Sequence, residues 1–289
     1  MLSIGKFSIG SLGLSLALAP AVVKPLPVLG TSLSPEPSLY AQSAARRLQR
    51  EFQNKEVSFL LLDARTGALL ASQWEDPEQP IPLGSLIKPF VAVAYGESHQ
   101  YRYPTHRCKG KAGGCWLPRG HGEIGLPSAV ANSCNSYFRL LAAKMNSADM
   151  VPAASEFGLD LPTSELSGPD LIGVGNHWLI SPLHMAQAYL ELSRRREQPG
   201  EREVVAGMAQ SAGQGTGLEI DRALRHSAAL VKTGTAACTH AMHAPGDGFV
   251  VALVPADQPE LLLMVRVHGV PGAKASVMAG KMLGRLEEP

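Results

Sequence analysis

The apolar and polar positions of this chain predict strands near both ends and helices between them. Val57 to Ala64 is an almost unbroken apolar run, and Ala68 to Trp74 follows it after an Arg-Thr-Gly turn signal. The two runs therefore predict a β-hairpin. Strand character returns late in the chain, over Ala229 to Ala236, Phe249 to Val254 and Leu261 to Val267.

Helical patterns flank and separate these strands. Gln42 to Gln53 and Ala273 to Leu286 carry apolar residues at helical spacing, and the stretch from Ser85 to Ser193 is mostly helical with Gly and Pro punctuation. Because a lone hairpin is only marginally stable, strands from both ends must meet in one sheet. We expect an α+β fold, in which helices flank a central five-stranded, mostly antiparallel sheet and an all-α lobe is inserted. A site would lie in the cleft between sheet and lobe.

The composition of the chain excludes several classes of protein. The 289 residues are 45% hydrophobic and 18% charged, which excludes global disorder. Lys and Arg number 26 against 25 Asp and Glu, so the basic excess of a nucleic-acid binder is missing. Four cysteines are too few for a disulfide scaffold of this length.

The N-terminus has the order of regions expected of an export signal. A single basic residue, Lys6, precedes an apolar run from Phe7 to Val23, and a Pro- and Ser-rich stretch leads to small residues near Ala41. We expect residues 1–41 to be a cleaved signal or an uncleaved membrane anchor, and residues 42–289 to be the folded domain. Either interpretation places the domain in the periplasm or on the outer face of the cytoplasmic membrane, where disulfides are permitted.

The first chemical motif is Ser85-Leu86-Ile87-Lys88. At the start of a helix, Ser85 and Lys88 would share one face. A serine hydroxyl needs a base to become a nucleophile, and a lysine whose pKa burial has lowered can be that base. Alone, the pattern has almost no specificity, and a helix cap with a solvated lysine is the simpler interpretation.

The second motif is Ser133-Cys134-Asn135, at a predicted break between helices. Ser133 could relay a proton between Lys88 and a leaving amine, and Asn135 could bind a substrate amide. The ordinary interpretation is a polar turn.

The third motif is Lys232-Thr233-Gly234-Thr235 on a predicted strand. Thr233 and Thr235 fall on one face, and Gly234 leaves room for a substrate backbone. Lys232 and Thr235 would attract a carboxylate, and the Thr235 N–H would be one of two oxyanion donors, beside that of Ser85. A lysine at a sheet edge is the alternative.

Together, in this order, the three motifs resemble those of penicillin-binding proteins and serine β-lactamases. The chain is most similar to the transpeptidase domain of class B penicillin-binding proteins of the elongation type, from about Val57 to the C-terminus. The resemblance extends to Leu62 to Ala71, to the segment from Cys115 to Phe138, and to Gly246 to Phe249.

The resemblance implies a reaction and its participants. Ser85 would form an acyl-enzyme with a D-Ala-D-Ala stem peptide of peptidoglycan, with Lys88 as base and Ser133 as proton relay. Asn135 would hold the acyl chain, and Lys232 with Thr235 would hold the terminal carboxylate. β-Lactams would inhibit by the same acylation, cell-wall synthesis proteins would be partners, and neither a metal nor an organic cofactor is required.

Departures from the family keep three functions open. Only a short segment precedes the first strand, where class B proteins carry a pedestal domain, and Ala236 to Cys238 replace residues that are often polar. The leading hypothesis is a D,D-transpeptidase or D,D-carboxypeptidase. The alternatives are a class D-like β-lactamase, which needs an added base for deacylation, and a non-catalytic module that binds stem peptides or β-lactams.

The cysteines allow several arrangements. Cys108 and Cys115 enclose a compact loop and could form a disulfide. Cys134 and Cys238 could approach each other across the cleft. Cys238 with His240 and His243 has ligand-like spacing, although a solvated loop is the simpler interpretation.

Overall fold

A computed structural model describes residues 36–238 and 246–288 of the chain. Most of the predicted export signal, and the residues His240 and His243, lie outside these ranges. None of the helices in the described ranges combines the length and the apolar character needed to cross a bilayer.

One antiparallel sheet of five strands forms the centre of the fold. Its strand order is β2-β1-β9-β8-β7, and every neighbouring pair is antiparallel. Two small sheets pair β3 with β6 and β4 with β5. The strands of the described ranges are β1 (Val57–Asp63), β2 (Leu69–Ser72), β3 (Ile81–Pro82), β4 (His106–Cys108), β5 (Gly122–Ile124), β6 (Leu179–Ile180), β7 (Leu230–Ala236), β8 (Asp247–Val254) and β9 (Leu261–His268).

Helices cover both faces of the sheet. The terminal helices α1 and α10 pack on one face, and the others belong to the inserted lobe or to the chain that returns from it. They are α1 (Leu39–Glu51), α2 (Lys88–Ser98), α3 (Leu126–Ala131), α4 (Asn135–Ala142), α5 (Val151–Phe157), α6 (Gly168–Leu171), α7 (Pro182–Arg194), α8 (Glu201–Gln214), α9 (Leu218–Ala223) and α10 (Gly272–Glu287).

The position of the sheet between two layers explains the unbroken apolar run of β1. All seven residues of β1 are buried. Leu60 and Leu62 belong to the core on the lobe side, whereas Phe59 and Leu61 belong to the core shared with α1 and α10. Successive side chains of a strand point to opposite faces, so a strand covered on both faces shows no polar alternation.

The predicted architecture is confirmed, with differences at its edges. The five long strands, the antiparallel sheet and the inserted helical lobe are as expected. The first helix begins at Leu39 and ends at Glu51, slightly earlier than predicted. Its start is set by Ser38, whose hydroxyl accepts a hydrogen bond from the Ala41 N–H and caps the helix. The small sheets were not predicted, because strands of two or three residues carry no periodic signal.

A buried hydrogen bond fixes the segment on which the predicted nucleophile lies. The Tyr189 hydroxyl of α7 donates to the Leu86 carbonyl oxygen at 2.7 Å, and both residues are fully buried. Leu86 follows Ser85 directly, so α7 holds the turn that carries this serine.

We expect the substitution Tyr189→Phe to lower the free energy of unfolding by about 1–2 kcal/mol, because it leaves the buried Leu86 carbonyl without a donor. In a domain of this size the melting temperature should fall by about 2–8 °C. Thermal denaturation measures the effect, with Tyr101→Phe as the control at an exposed tyrosine. Equal melting temperatures for the two variants would contradict this prediction.

Candidate active site

The predicted nucleophile lies in a tight turn packed against β7. Ser85 is half-buried in a 3₁₀ turn, Gly84–Ile87, that leads directly into α2. Gly84 has φ +58°, and a Cβ there would lie 2.1 Å from the Thr235 carbonyl oxygen. A Cβ at Gly234 would lie 2.6 Å from the Leu83 carbonyl oxygen. Only glycines permit this approach, so the two backbones bring Ser85 beside the end of β7.

Lys88 begins α2 and is fully buried beneath the cleft. Its Nζ donates to the Asn135 Oδ1 at 2.5 Å and to the Ser133 carbonyl oxygen at 3.0 Å, and it lies 3.5 Å from the Ser133 Oγ. Burial lowers the pKa of Lys88 to about 7, against an opposing effect of the nearby Cys134 and Cys115 thiols. A neutral amine, which can accept a proton, is therefore available near neutral pH.

Lys232 reaches the same serine from the sheet. It is fully buried on β7, and its Nζ donates to the Ser133 Oγ at 3.0 Å and to the Thr233 carbonyl oxygen at 2.5 Å. Burial, and then the charge of Lys88, hold the pKa of Lys232 well below its usual value. The Ser133 hydroxyl thus lies between two buried amines, as a proton relay requires.

The turn between α3 and α4 carries the second motif. Ser133 has φ +48°, a left-handed conformation that is uncommon for a serine. This turn points its hydroxyl at the two lysines, and Asn135 opens α4 beside it. The sequence prediction of an interhelical break is confirmed at this position.

The motif residues that face solvent line one cleft of about 680 Å³. Ser85, Ser133 and Asn135 lie on its lobe side, and Thr233, Gly234 and Thr235 lie on its sheet side. Lys88 and Lys232 are buried behind it, in contact with Ser133. All the predicted catalytic and substrate-binding residues are therefore brought together around one opening.

Two further residues of the cleft were not predicted. The Thr216 hydroxyl accepts a hydrogen bond from the Thr233 hydroxyl at 2.6 Å, and both side chains face the cleft. Thr216 belongs to the Gly-rich stretch from Gly213 to Gly217. Here α8 extends to Gln214, and the Thr216 N–H donates to the Ala131 carbonyl oxygen at 3.1 Å.

Trp116 is the second of these residues, at the rim of the cleft. Its indole Nε1 donates to the Asn132 carbonyl oxygen at 3.0 Å, while 47% of the residue stays exposed. The signal in the sequence was its place in the segment from Cys115 to Phe138, which leads into the second motif. Trp116 belongs to the β4–β5 excursion, the segment from His106 to Ile124 that contains β4, a 3₁₀ turn and β5.

A cluster of three cysteines and a histidine underlies the second motif. The ligand atoms of Cys108, Cys115, His121 and Cys134 all lie within 4.8 Å of one another. The His121 Nδ1 is 3.5 Å from the Cys108 Sγ and 3.6 Å from the Cys115 Sγ, and the Cys115 and Cys134 sulfurs are 3.7 Å apart. We name these four residues the thiol cluster.

The thiol cluster has the donor set of a zinc site, and the three separations given above fit one. Around a tetrahedral zinc ion, two thiolate sulfurs lie about 3.7 Å apart and a sulfur and an imidazole nitrogen about 3.5 Å apart. Backbone N–H groups of Gly110 and His121 also donate to the Cys108 sulfur and lower the pKa of its thiol, in spite of burial. These four residues can hold a metal ion, which the sequence analysis did not foresee because it considered Cys108 and Cys115 only as a pair.

The sequence suggested several partners for the four cysteines, and the structure describes the surroundings of some of them. Cys134 lies with Cys115 and Cys108 in the thiol cluster. The disulfide between Cys108 and Cys115 stays a prediction. The suggested set around Cys238 involves histidines outside the described ranges.

Comparison with known proteins identifies a family over most of the chain. A family profile described as "Penicillin binding protein transpeptidase domain" matches residues 57–285. No curated protein sequence matches the chain at a significant level.

Solved structures share the fold at low sequence identity. Penicillin-binding protein PBP2 of Pseudomonas aeruginosa, in complex with WCK 5153, is 18% identical with a TM-score of 0.67, over 86% of this chain and 77% of that one. Helicobacter pylori PBP2, in a complex with MreC, is also 18% identical, with a TM-score of 0.70, over 85% of this chain but only 62% of that one. The transpeptidase domain of Legionella pneumophila FtsI4 is 16% identical with a TM-score of 0.60, over 86% of this chain and 94% of that domain.

We expect the purified protein to contain about one zinc ion per chain, because the four ligands are prearranged for it. Cys134→Ser should lower both the zinc content and the melting temperature, since it removes one ligand and leaves the others poorly satisfied. Elemental analysis after gel filtration measures the metal, and Cys238→Ser is the matched control outside the thiol cluster. Equal zinc contents in the two variants would argue against the site.

Proposed function

Because this chain belongs to the transpeptidase-domain family of penicillin-binding proteins, we propose that it is an exported serine acyltransferase acting on the D-Ala-D-Ala ends of peptidoglycan stem peptides. As a member of that family it is a transpeptidase-type enzyme. The observation that carries the specific proposal is the Ser133 hydroxyl between two buried amines, on the floor of the cleft that Ser85 lines.

Acylation begins with Ser85. Lys88 in its neutral form takes the Ser85 proton as the oxygen attacks the carbonyl carbon of the penultimate D-alanine. Negative charge develops on the carbonyl oxygen, and we assign its stabilisation to the N–H groups of Ser85 and Thr235. The C–N bond then breaks, and the proton held by Lys88 passes through the Ser133 hydroxyl to the leaving D-alanine amine.

The remaining cleft residues bind the substrate. Asn135, Thr233 and Thr235 all line the cleft. We assign to Asn135 the hydrogen bond with the amide of the acyl chain, and to the two threonines the binding of the terminal carboxylate. Lys232 lies on the same strand and acts on this position through its hydrogen bond to the Ser133 hydroxyl. An amine of a neighbouring stem peptide, or water, releases the acyl group, so transpeptidase and carboxypeptidase activity share the first step.

The walls of the cleft favour this proposal over the β-lactamase alternative. Among the cleft residues that the structure describes, none is Asp or Glu. Fast hydrolysis of a penicilloyl-enzyme requires an added base to activate water, whereas transfer to an amine requires only the lysine that acylation uses. A β-lactam should therefore stay bound to Ser85. The non-catalytic alternative predicts no covalent bond at all.

Partners and location follow from the same proposal. The Helicobacter pylori relative was solved with MreC, and another relative belongs to a "peptidoglycan synthase complex". We propose that this chain also works with cell-wall synthesis proteins, on the outer side of the cytoplasmic membrane to which the N-terminal signal would direct it.

Mass spectrometry of the protein treated with penicillin tests the proposal. We expect one penicilloyl adduct per chain, on the peptide that contains Ser85, with a lifetime of many minutes. Ser85→Ala should abolish the adduct, and Ser98→Ala, at an exposed serine at the end of α2, is the control. Rapid loss of the adduct would favour the β-lactamase, and no adduct would favour the non-catalytic module.

The pH dependence of acylation tests the role of Lys88. Its pKa of about 7 means that the amine is protonated, and inactive as a base, below neutral pH. The acylation rate of a fluorescent penicillin should therefore rise about tenfold from pH 6 to a plateau near pH 8. Circular dichroism at each pH controls for folding, and a rate that is flat or falls over this range would exclude Lys88 as the base.

A further inference from the structure

We name the turn between α3 and α4, residues 132–136, the catalytic turn. One member of the thiol cluster lies inside it. Cys134 stands between Ser133 and Asn135, the two residues whose oxygen atoms hold the Lys88 Nζ. Its sulfur, fully buried, makes a thiol–thiol hydrogen bond of 3.7 Å with Cys115 of the β4–β5 excursion. Any displacement of the Cys134 main chain would therefore move both acceptors of the base.

The β4–β5 excursion holds the turn at two further points. The His106 Nε2 is 2.7 Å from the hydroxyl of Ser136, the residue after Asn135. The Trp116 indole donates to the carbonyl oxygen of Asn132, the residue before Ser133. The excursion thus contacts residues 132–136 at three points, and the contact through the thiol cluster is the middle one.

Both cysteines of the 3.7 Å pair are held by their main chains. The Cys134 N–H donates to the Ala129 carbonyl oxygen at 2.9 Å, and the Cys115 N–H donates to the Gly110 carbonyl oxygen at 3.0 Å. A disulfide requires sulfurs about 2.05 Å apart, so the two sulfurs would have to approach by more than 1.5 Å, as a rough difference. In a packed core, part of that movement must pass into the catalytic turn.

We propose that the thiol cluster is a redox gate on the acylation of Ser85, an inference that rests on the proposed function. In the reduced state, three thiols and His121 hold the turn, with a metal ion where one is bound. Oxidation of Cys115 and Cys134 to a disulfide removes two of the four ligands and pulls the turn away from Lys88. Reduction of the disulfide returns the turn to its position beside Lys88.

The oxidation balances with a peroxide as the two-electron oxidant. The Cys115 sulfur attacks one peroxide oxygen, the O–O bond breaks, and a sulfenic acid and one water form. The Cys134 sulfur then attacks the sulfenic sulfur, the S–O bond breaks, and the second water leaves with the thiol proton. Two thiols and one hydrogen peroxide thus give one disulfide and two waters.

Accessibility supports Cys115 as the first sulfur to react. Cys115 is 5% exposed, against 2% for Cys108 and none for Cys134, and it adjoins the exposed Trp116. Cys134 then resolves the sulfenic acid from 3.7 Å. The proposed location outside the cytoplasm is one in which thiol oxidation occurs.

The test compares three forms of the full chain: reduced, treated with hydrogen peroxide, and treated and then reduced again with dithiothreitol and zinc. We expect oxidation to slow acylation by a fluorescent penicillin at least tenfold, because misplacement of a catalytic group by about 1 Å can cost about 100-fold in rate. Peptide mapping should find the Cys115–Cys134 disulfide, a metal-binding dye should record zinc release, and re-reduction should restore the rate.

Two variants separate the gate from general oxidative damage. Cys238→Ser should respond as the wild type does, and the residual acylation rate of Cys115→Ser should not respond to peroxide. A Cys115–Cys134 disulfide with an unchanged rate would overturn the gate, as would a Cys108–Cys115 disulfide or the absence of any disulfide. If the reduced wild type is itself not acylated, the proposed function fails and the gate fails with it.

Discussion

The site depends on one hydroxyl group that serves two buried amines. Lys88 comes from a helix of the lobe and Lys232 from an edge strand of the sheet, and the Ser133 Oγ lies within hydrogen-bonding reach of both. Two ammonium groups without acceptors could not remain charged at such burial. The lowered pKa values and the shared acceptors are the physical solution, and they are also what proton transfer at neutral pH requires.

The rest of the fold holds Lys88, Ser133 and Lys232 in their relative positions. The sheet supplies β7, which is buried from Leu230 to Gly234, and the Gly84 and Gly234 backbones let the nucleophile turn lie against it. Tyr189 holds the same turn from α7, on the opposite side. The catalytic turn around Ser133 has its own support, the β4–β5 excursion, which touches it before, within and after the motif.

The sequence was sufficient to predict the fold and the motif residues that meet at the cleft, because the three motifs and the long apolar strands carry strong local signals. Thr216 and the thiol cluster could not be found in the same way. Thr216 is defined by a hydroxyl contact with Thr233, a strand away, and no local pattern encodes such a contact. The four cluster residues have irregular spacing, and only the return of the excursion onto α4 brings Cys134 to the others.

The catalytic turn is contacted by the β4–β5 excursion and by β7, and these two contacts differ greatly in their separation along the chain. Cys115 and Cys134 are 19 residues apart, whereas Lys232 and Ser133 are 99 apart. Closing the longer loop costs about 1.5 kcal/mol more in chain entropy than closing the shorter one. Contacts within the lobe can therefore fix the conformation of the catalytic turn at a modest entropic cost. Lys232 of the distant strand β7 then binds to a Ser133 that is already in position.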